Sequence, residues 1–474
     1  MVLFDWARAL LGKLNRKTTP AGTIEKEFGV YPAASRKMED NLNLWWSMYV
    51  NHPPWETDCV RPLGLPGAIG RELARHALTE FSVSVTGGAR GDYIDQQVQA
   101  AVTDFGKNLE LGLCLGGIAL KPYPDGDRIL VDASTTGFTP TRFDGRGKCI
   151  GGVFKSLPTR QGKEWFVRME YHGFQDREDG GSVYVIENKA YRSGQDGSVG
   201  TQVALDSVDA WADLQEHVEI EGLTGPLFAY FKPPQANDIE PESQMGVSVY
   251  AGATVDLIKQ ADEKWEQIEW EYQSGERKIY ADDNSVGKPE KAQDRLFIYR
   301  LFIYGDFTPK GEFFHEFSPA FRDDPLYNGF QRILQRIEFN VGLSYGTISD
   351  PQSVEKTATE ILTAKHRQYV TEDAIQKAFE ATLDGLIYAM NAWCDLAGLA
   401  PAGEYEVAYS WGDGVLDDPE TRRQDMALDM QMVNAGLMND WEYRVKWFSE
   451  DKDTARKMLP GMEDMTTEKQ EEVE

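Results

Sequence analysis

Apolar residues recur at helical spacing in the first part of the chain and at strand spacing after it. Ile69, Leu73, Ala77 and Leu78, then Ile94, Val98, Val102 and Phe105, make residues 1 to about 110 mainly helical. Trp45, Trp46, Tyr49 and Trp55 within this stretch read as packing between helices. From Leu113 to about Tyr230 the pattern shortens to β-type runs at 129–131, 151–154, 165–170 and 183–186. Asp125-Gly126-Asp127, Asp144-Gly145 and Asp179-Gly180 punctuate them as turns, which predicts a largely antiparallel sheet region.

Pro233-Pro234 through Pro241 reads as a stiff connector and a domain boundary. Beyond it, Val255, Ile258, Trp265, Ile268 and Tyr272 stripe a helix that ends near Ser274-Gly275. A second stripe, Phe330, Ile333, Leu334, Ile337 and Val341, predicts a helix over 324–345. The insert between them holds runs at 277–280, 296–304 and 313–317, a small α/β or β lobe whose LFIYRLFIY segment is an edge hazard if unpaired. A third helix runs from about 357 to 396, marked by Ile361, Leu362, Tyr369, Ile375, Phe379, Leu383 and Trp393. Between the second and third helices, Gly346 and Asp350-Pro351 break the helical path, because the residue before a proline is pushed out of the helical region. A strand at 405–411 and a helical, acidic tail from 417 complete the chain.

Composition changes this picture mainly by exclusion. With 474 residues, 41% hydrophobic and twelve tryptophans, the chain is expected to fold into two or more compact regions. Cys59, Cys114, Cys149 and Cys394 stand far apart, which argues against disulfides or a zinc site and fits a reducing cytoplasm. MVLFDWARALLGKLNRK reads as an amphipathic helix rather than a signal peptide, and no apolar run of membrane-spanning length occurs. A formal net charge of −28 argues against ordinary nucleic-acid binding, which needs cations to replace condensed counterions, while an acidic conduit wall would keep a duplex centred. The six histidines form no HExxH, and GLCLGGIALK at 112–121 and GLPGAIG at 64–70 miss the phosphate-loop and dinucleotide patterns. Arg90-Gly91-Asp92 spells an adhesion tripeptide common by chance, and no nucleophile elbow or ATPase machinery is present. Neither a cofactor nor a catalytic or metal-ligating residue is expected.

The order of segments resembles one family. GGIALKPYPDGDRILVDASTTGFTPTRFDGRGKCIGGVF (116–154), MGVSVYAGATVDLIKQADEKWEQIEWEYQSGERKIY (245–280), FSPAFR and GLSYGTISD follow one another as in the portal proteins, or head-to-tail connectors, of tailed double-stranded-DNA bacteriophages, siphophage type. The resemblance implies an α+β portal fold. Its wing, part helical and part β, would span 1–244, its first stem helix 245–275, a small α/β clip 276–323 and its second stem helix 324–345. A channel loop would follow at 346–356, then a long kinked wing helix with a returning strand at 357–416, and a helical crown and tail at 417–474.

The function so implied is a ring of twelve copies at one capsid vertex of the virion, assembled in the host cytoplasm, through which DNA is packaged and ejected. The implied partners are double-stranded DNA, terminase, the major capsid protein, a head-tail adaptor and a scaffold protein, with no membrane. Thr347, Ile348, Ser349, Asp350, Pro351, Gln352, Ser353 and Val354 would form the channel loop, where small polar side chains suit sliding contacts. Lys356, Glu266 and Glu269 are candidates to face the channel, with Lys365 a candidate phosphate contact. Trp265, Ile268, Phe330, Ile337, Phe297 and Tyr299 are candidates for contacts between subunits. The alternative is a magnesium-dependent phage nuclease or hydrolase built on converging carboxylates, although no D-x-D or E-x-K cluster singles one out.

Overall fold

The computed structural model describes residues 21–177, 180–275, 278–282, 301–304, 314–317, 320–351, 358–411, 419–448 and 452–457. The helix expected over 1–17 lies outside them. The fold is α+β, in two compact units, 1–412 and 413–474.

The first unit begins with α1 (Ala21–Phe28), α2 (Arg36–Tyr49), α3 (Leu65–Ala77), β1 (Ser82–Thr86) and α4 (Gly88–Leu115). The Ser35 hydroxyl caps α2 by accepting from the Met38 N–H at 3.2 Å. Pro66 sits in the first turn of α3, where its missing N–H costs nothing. The α4 stripe of Ile94, Val98, Phe105, Leu109 and Leu113 is buried, and Phe105 meets Phe379 edge-on at 5.5 Å. Arg90 is buried too, donating to the carbonyls of Pro401 and Asn391, so the Arg-Gly-Asp tripeptide is a packing feature.

The β-rich stretch comprises β2 (Ile118–Asp125), β3 (Arg128–Ser134), β4 (Phe138–Phe143), β5 (Cys149–Lys155), β6 (Thr159–Gln161), β7 (Glu164–Asp176), β8 (Ser182–Ser193), β9 (Val199–Val203), β10 (His217–Ile220) and β11 (Ala229–Phe231). Seven of these strands form one antiparallel sheet with the spine β10-β8-β7-β5-β4. The expected Gly126-Asp127 turn joins β2 and β3, with Asp125 opposite Arg128 and Gly126 at φ +63°. Ile24 of α1 is sealed with Val153, Val167, Met169 and Tyr191 in a cluster on this sheet.

Pro233 to Pro241 does not separate two units. Met245, Val247, Tyr250 and Ala251 run on into the core that holds α2 to α4, and the Val249 N–H donates to the Leu113 carbonyl of α4 at 3.0 Å. The unit boundary falls after Gly412 instead.

Next come α5 (Ala253–Ser274), β12 (Lys278–Asp282), β13 (Leu301–Tyr304), β14 (Phe314–Phe317), α6 (Asp323–Val341), α7 (Ala358–Leu396) and β15 (Glu406–Ser410). The three strands between α5 and α6 form a sheet with β12 central, β13 parallel to it and β14 antiparallel. Residues 301–304 of the LFIYRLFIY segment thus find a partner within the chain. Glu271 at the end of α5 accepts three bonds from Arg322, at its N–H, Nε and Nη2, which fastens the base of the insert. β15 pairs antiparallel with β1.

The second unit contains α8 (Pro419–Asn434), α9 (Asp440–Phe448) and α10 (Lys452–Lys457). Asp429 of α8 accepts from Trp447 Nε1 at 2.9 Å and pairs with Lys446 at 2.6 Å. Among the described residues no helix is long and apolar enough to cross a membrane.

Candidate functional site

The segment that breaks the helical path after the second stripe is built on α6. That helix stops at Val341, four residues before the expected end, because Gly342 adopts φ +81°. A Cβ there would also meet Thr371 Oγ1 of α7 at 2.1 Å. Leu343 is then fully buried, and the chain turns through Ser344 and Thr347, whose N–H and hydroxyl both reach the Ser344 carbonyl.

Glu338 organises the turn. Its side chain is fully enclosed, and its carboxyl accepts from the Ile348 N–H at 2.7 Å, the Ser349 N–H at 2.9 Å, the Gly346 N–H at 3.1 Å and the Ser349 hydroxyl at 2.8 Å. Enclosing a carboxyl without partners would cost several kcal/mol, so these donors satisfy the glutamate as much as the glutamate orders the turn. Farther up α6, Gln331 accepts from the Asp350 N–H at 2.9 Å and the Tyr327 hydroxyl bonds the Asp350 carboxyl. The turn is therefore stitched to α6 at three levels. It contains no nucleophile–base pair. What it does is fix the main chain from Gly346 to Asp350 against α6.

The structure distributes the expected site residues unevenly. Thr347 and Ile348 are half-buried, with Ile348 packed on the main core, while Asp350 and Pro351 are exposed. Ser349 is only 4% exposed, and its hydroxyl is committed to Glu338, so it offers no sliding surface within this chain. Gln352, Ser353, Val354 and Lys356, the side chain of Lys365, and Phe297 and Tyr299 lie outside the described residues. Glu266 is half-buried on α5, and Glu269 accepts from Trp265 Nε1 at 3.1 Å.

The four described residues among those expected between subunits pack inside one. Ile268, Phe330 and Ile337 are buried in the α5–α6 seam, where Trp265 and Phe330 lie 5.4 Å apart. Each fully buried side chain of this kind stabilises by about 1.5–3 kcal/mol, a gain taken first by the nearest stripe in the same chain. These four residues are the core of the helix pair.

A second polar centre lies on the large sheet. Arg168, Glu170 and His172 alternate along β7 and so share one face, where Glu170 pairs with Lys121 of β2 and with Arg168 at 2.8 Å. His172, 1% exposed, sits between Glu170 Oε1 at 2.8 Å and the Tyr184 hydroxyl at 2.9 Å. Burial raises the Glu170 carboxyl, but Lys121, His172 and Arg168 outweigh it and hold the group well below its usual range. Burial depresses the His172 ring. The enclosed cluster locks β2 to β7.

Sequence reasoning missed both centres. The available signals were an acid on the buried stripe of α6, at i+4 from Leu334, and the R-x-E-x-H alternation along β7. Among the described residues, no group of three or more His, Cys, Asp and Glu side chains could hold a metal ion. No family model matches the chain, and no curated protein matches it.

Proposed function

We propose that this chain is a portal protein, a structural ring through which double-stranded DNA enters and leaves a tailed-phage capsid, docking terminase and then a head-tail adaptor. The observation that supports this reading is the succession of elements. A β-rich region leads to a long helix, a small three-stranded lobe and a returning helix, and a stitched turn then precedes a helix of 39 residues. In a ring, copies of the turn at 343–351 would be arrayed about one axis. The Glu338 clasp would set every copy of this turn at the same height on α6. The protein would act by shape and position, with the motor supplied by terminase.

Mass photometry and negative-stain imaging of the purified chain test this. The expected result is a closed ring with an axial hole, about 640 kDa for twelve chains of 53.4 kDa. A monomer with magnesium-dependent nuclease activity would overturn it.

A further inference from the structure

α5 and α6 turn their apolar faces toward each other, so their remaining faces point apart. On α5, Asp256, Glu263 and Glu266 lie away from the buried Thr254, Ile258, Ala261 and Ile268, together with Trp270, which is 62% exposed. Neither Asp256 nor Glu266 has an ion pair among the described residues, and Glu263 reaches only Lys259, at 3.8 Å on the same helix. On α6, Arg332, Arg336 and Phe339 follow one another at i, i+4 and i+7, away from the buried Phe330, Leu334, Ile337 and Val341.

The α6 face is organised. The Arg336 guanidinium lies 5.0 Å over the Phe339 ring, and Arg367 of α7 lies 5.0 Å over the same ring and 4.8 Å over Tyr345. Phe339 and Tyr345 are both more than two-fifths exposed. Arg332 and Arg336 have no carboxylate partner among the described residues, in a chain whose net charge is −28. Stacking holds the planar guanidinium of Arg336 ready for a partner, as a lysine could not be held.

We propose that these two faces are the halves of one head-to-tail contact between copies of this chain. The acidic, Trp270-bearing face of α5 in one copy would meet the Arg332–Arg336–Phe339 face of α6 in the next. A two-fold dimer through either face alone would set like charges against each other, whereas head-to-tail pairing sets opposite charges together and continues until it closes. This inference rests on the ring reading for its closed geometry, and the contact itself is tested separately.

The test is mass photometry of the full chain at low and high salt in four forms. They are the unaltered protein, Arg332→Glu with Arg336→Glu, Asp256→Lys with Glu263→Lys, and all four substitutions together. All four side chains lie on the surface, and circular dichroism checks that each form folds. Each double variant should lose the high-mass species at least tenfold at equal concentration, the fourfold variant should regain it, and added salt should weaken it in the unaltered protein. Rings that survive either double reversal would overturn the contact and leave the ring reading standing. Unchanged ring mass with lost binding to a duplex DNA probe in the arginine variant would assign that face to DNA and overturn the contact as well. Charge-dependent assemblies without a closed ring would keep the contact and overturn the ring. A protein monomeric at every concentration would overturn both.

Discussion

Glu338 and Glu170 are two enclosed carboxyl groups in one chain, held in opposite ways. Glu338, on α6, is surrounded by backbone N–H groups and one hydroxyl, while Glu170 on β7 is surrounded by Lys121, Arg168 and His172. The first arrangement fixes main chain, and its donors come from a span of four residues. The second fixes side chains drawn from two strands and brings cations that would themselves be stranded without it. An amide clasp shapes a local turn, whereas an ion cluster ties distant segments together. The first should therefore fail locally and the second globally.

Glu170→Gln provides the hardest test of that contrast. It leaves the almost fully buried Lys121 without its counter-charge, so global stability in denaturant should fall by roughly 3–5 kcal/mol. A loss confined to the region around β7, with the global midpoint unmoved, would erase the distinction.

Glu338→Ala should cost less, about 3 kcal/mol, because neutral donors are stranded instead of a charge. Its signature should be local: hydrogen exchange at the Gly346, Ile348 and Ser349 amides accelerates while the amides in the middle of α4 stay protected. Equal acceleration in both places would show that the turn is part of the global unfolding unit.

The smallest effect is in pH. The depressed His172 ring is neutral in the folded protein, while the unfolded chain takes up a proton near the ordinary histidine value of about 6.5, so stability falls as pH drops below that point. The depressed Glu170 carboxyl contributes stability that is fully present above the unfolded value of about 4.3 and is lost as pH falls through the folded one, so it acts in the same direction. The slope from one proton is at most about 1.4 kcal/mol per pH unit. His172→Gln should flatten the melting-temperature profile between pH 6.5 and 5, and an unchanged profile would remove His172 from the account.

How much of this was legible in the sequence follows from how local each cause is. The long helix, expected over 357–396, is observed as Ala358–Leu396, and the Gly126-Asp127 turn forms where its residues demand it. Both depend on neighbours within a few positions. The end of α6 was misplaced because Gly346 and Pro351 are conspicuous breakers, while Gly342 takes effect through Thr371, which lies on another helix. Trp265, Ile268, Phe330 and Ile337 were assigned to a contact between chains because periodicity shows that a face is apolar without showing what covers it. Glu338 reads in one dimension as one more acid in an acidic chain, and only the folded turn reveals four donors converging on it.

The pairing of β1 with β15 has a consequence in time. Ser82 lies opposite Ser410 and Thr86 opposite Glu406, so a five-residue strand made early waits for one made more than three hundred residues later. At ordinary ribosomal speeds that interval is on the order of tens of seconds. During it the alternating valines of β1 have no sheet to join, and α4 emerges with its Phe105 still lacking Phe379. The first unit cannot close until nearly all of it has been synthesised, which makes the nascent chain a natural client for whatever shields apolar surface in the cell.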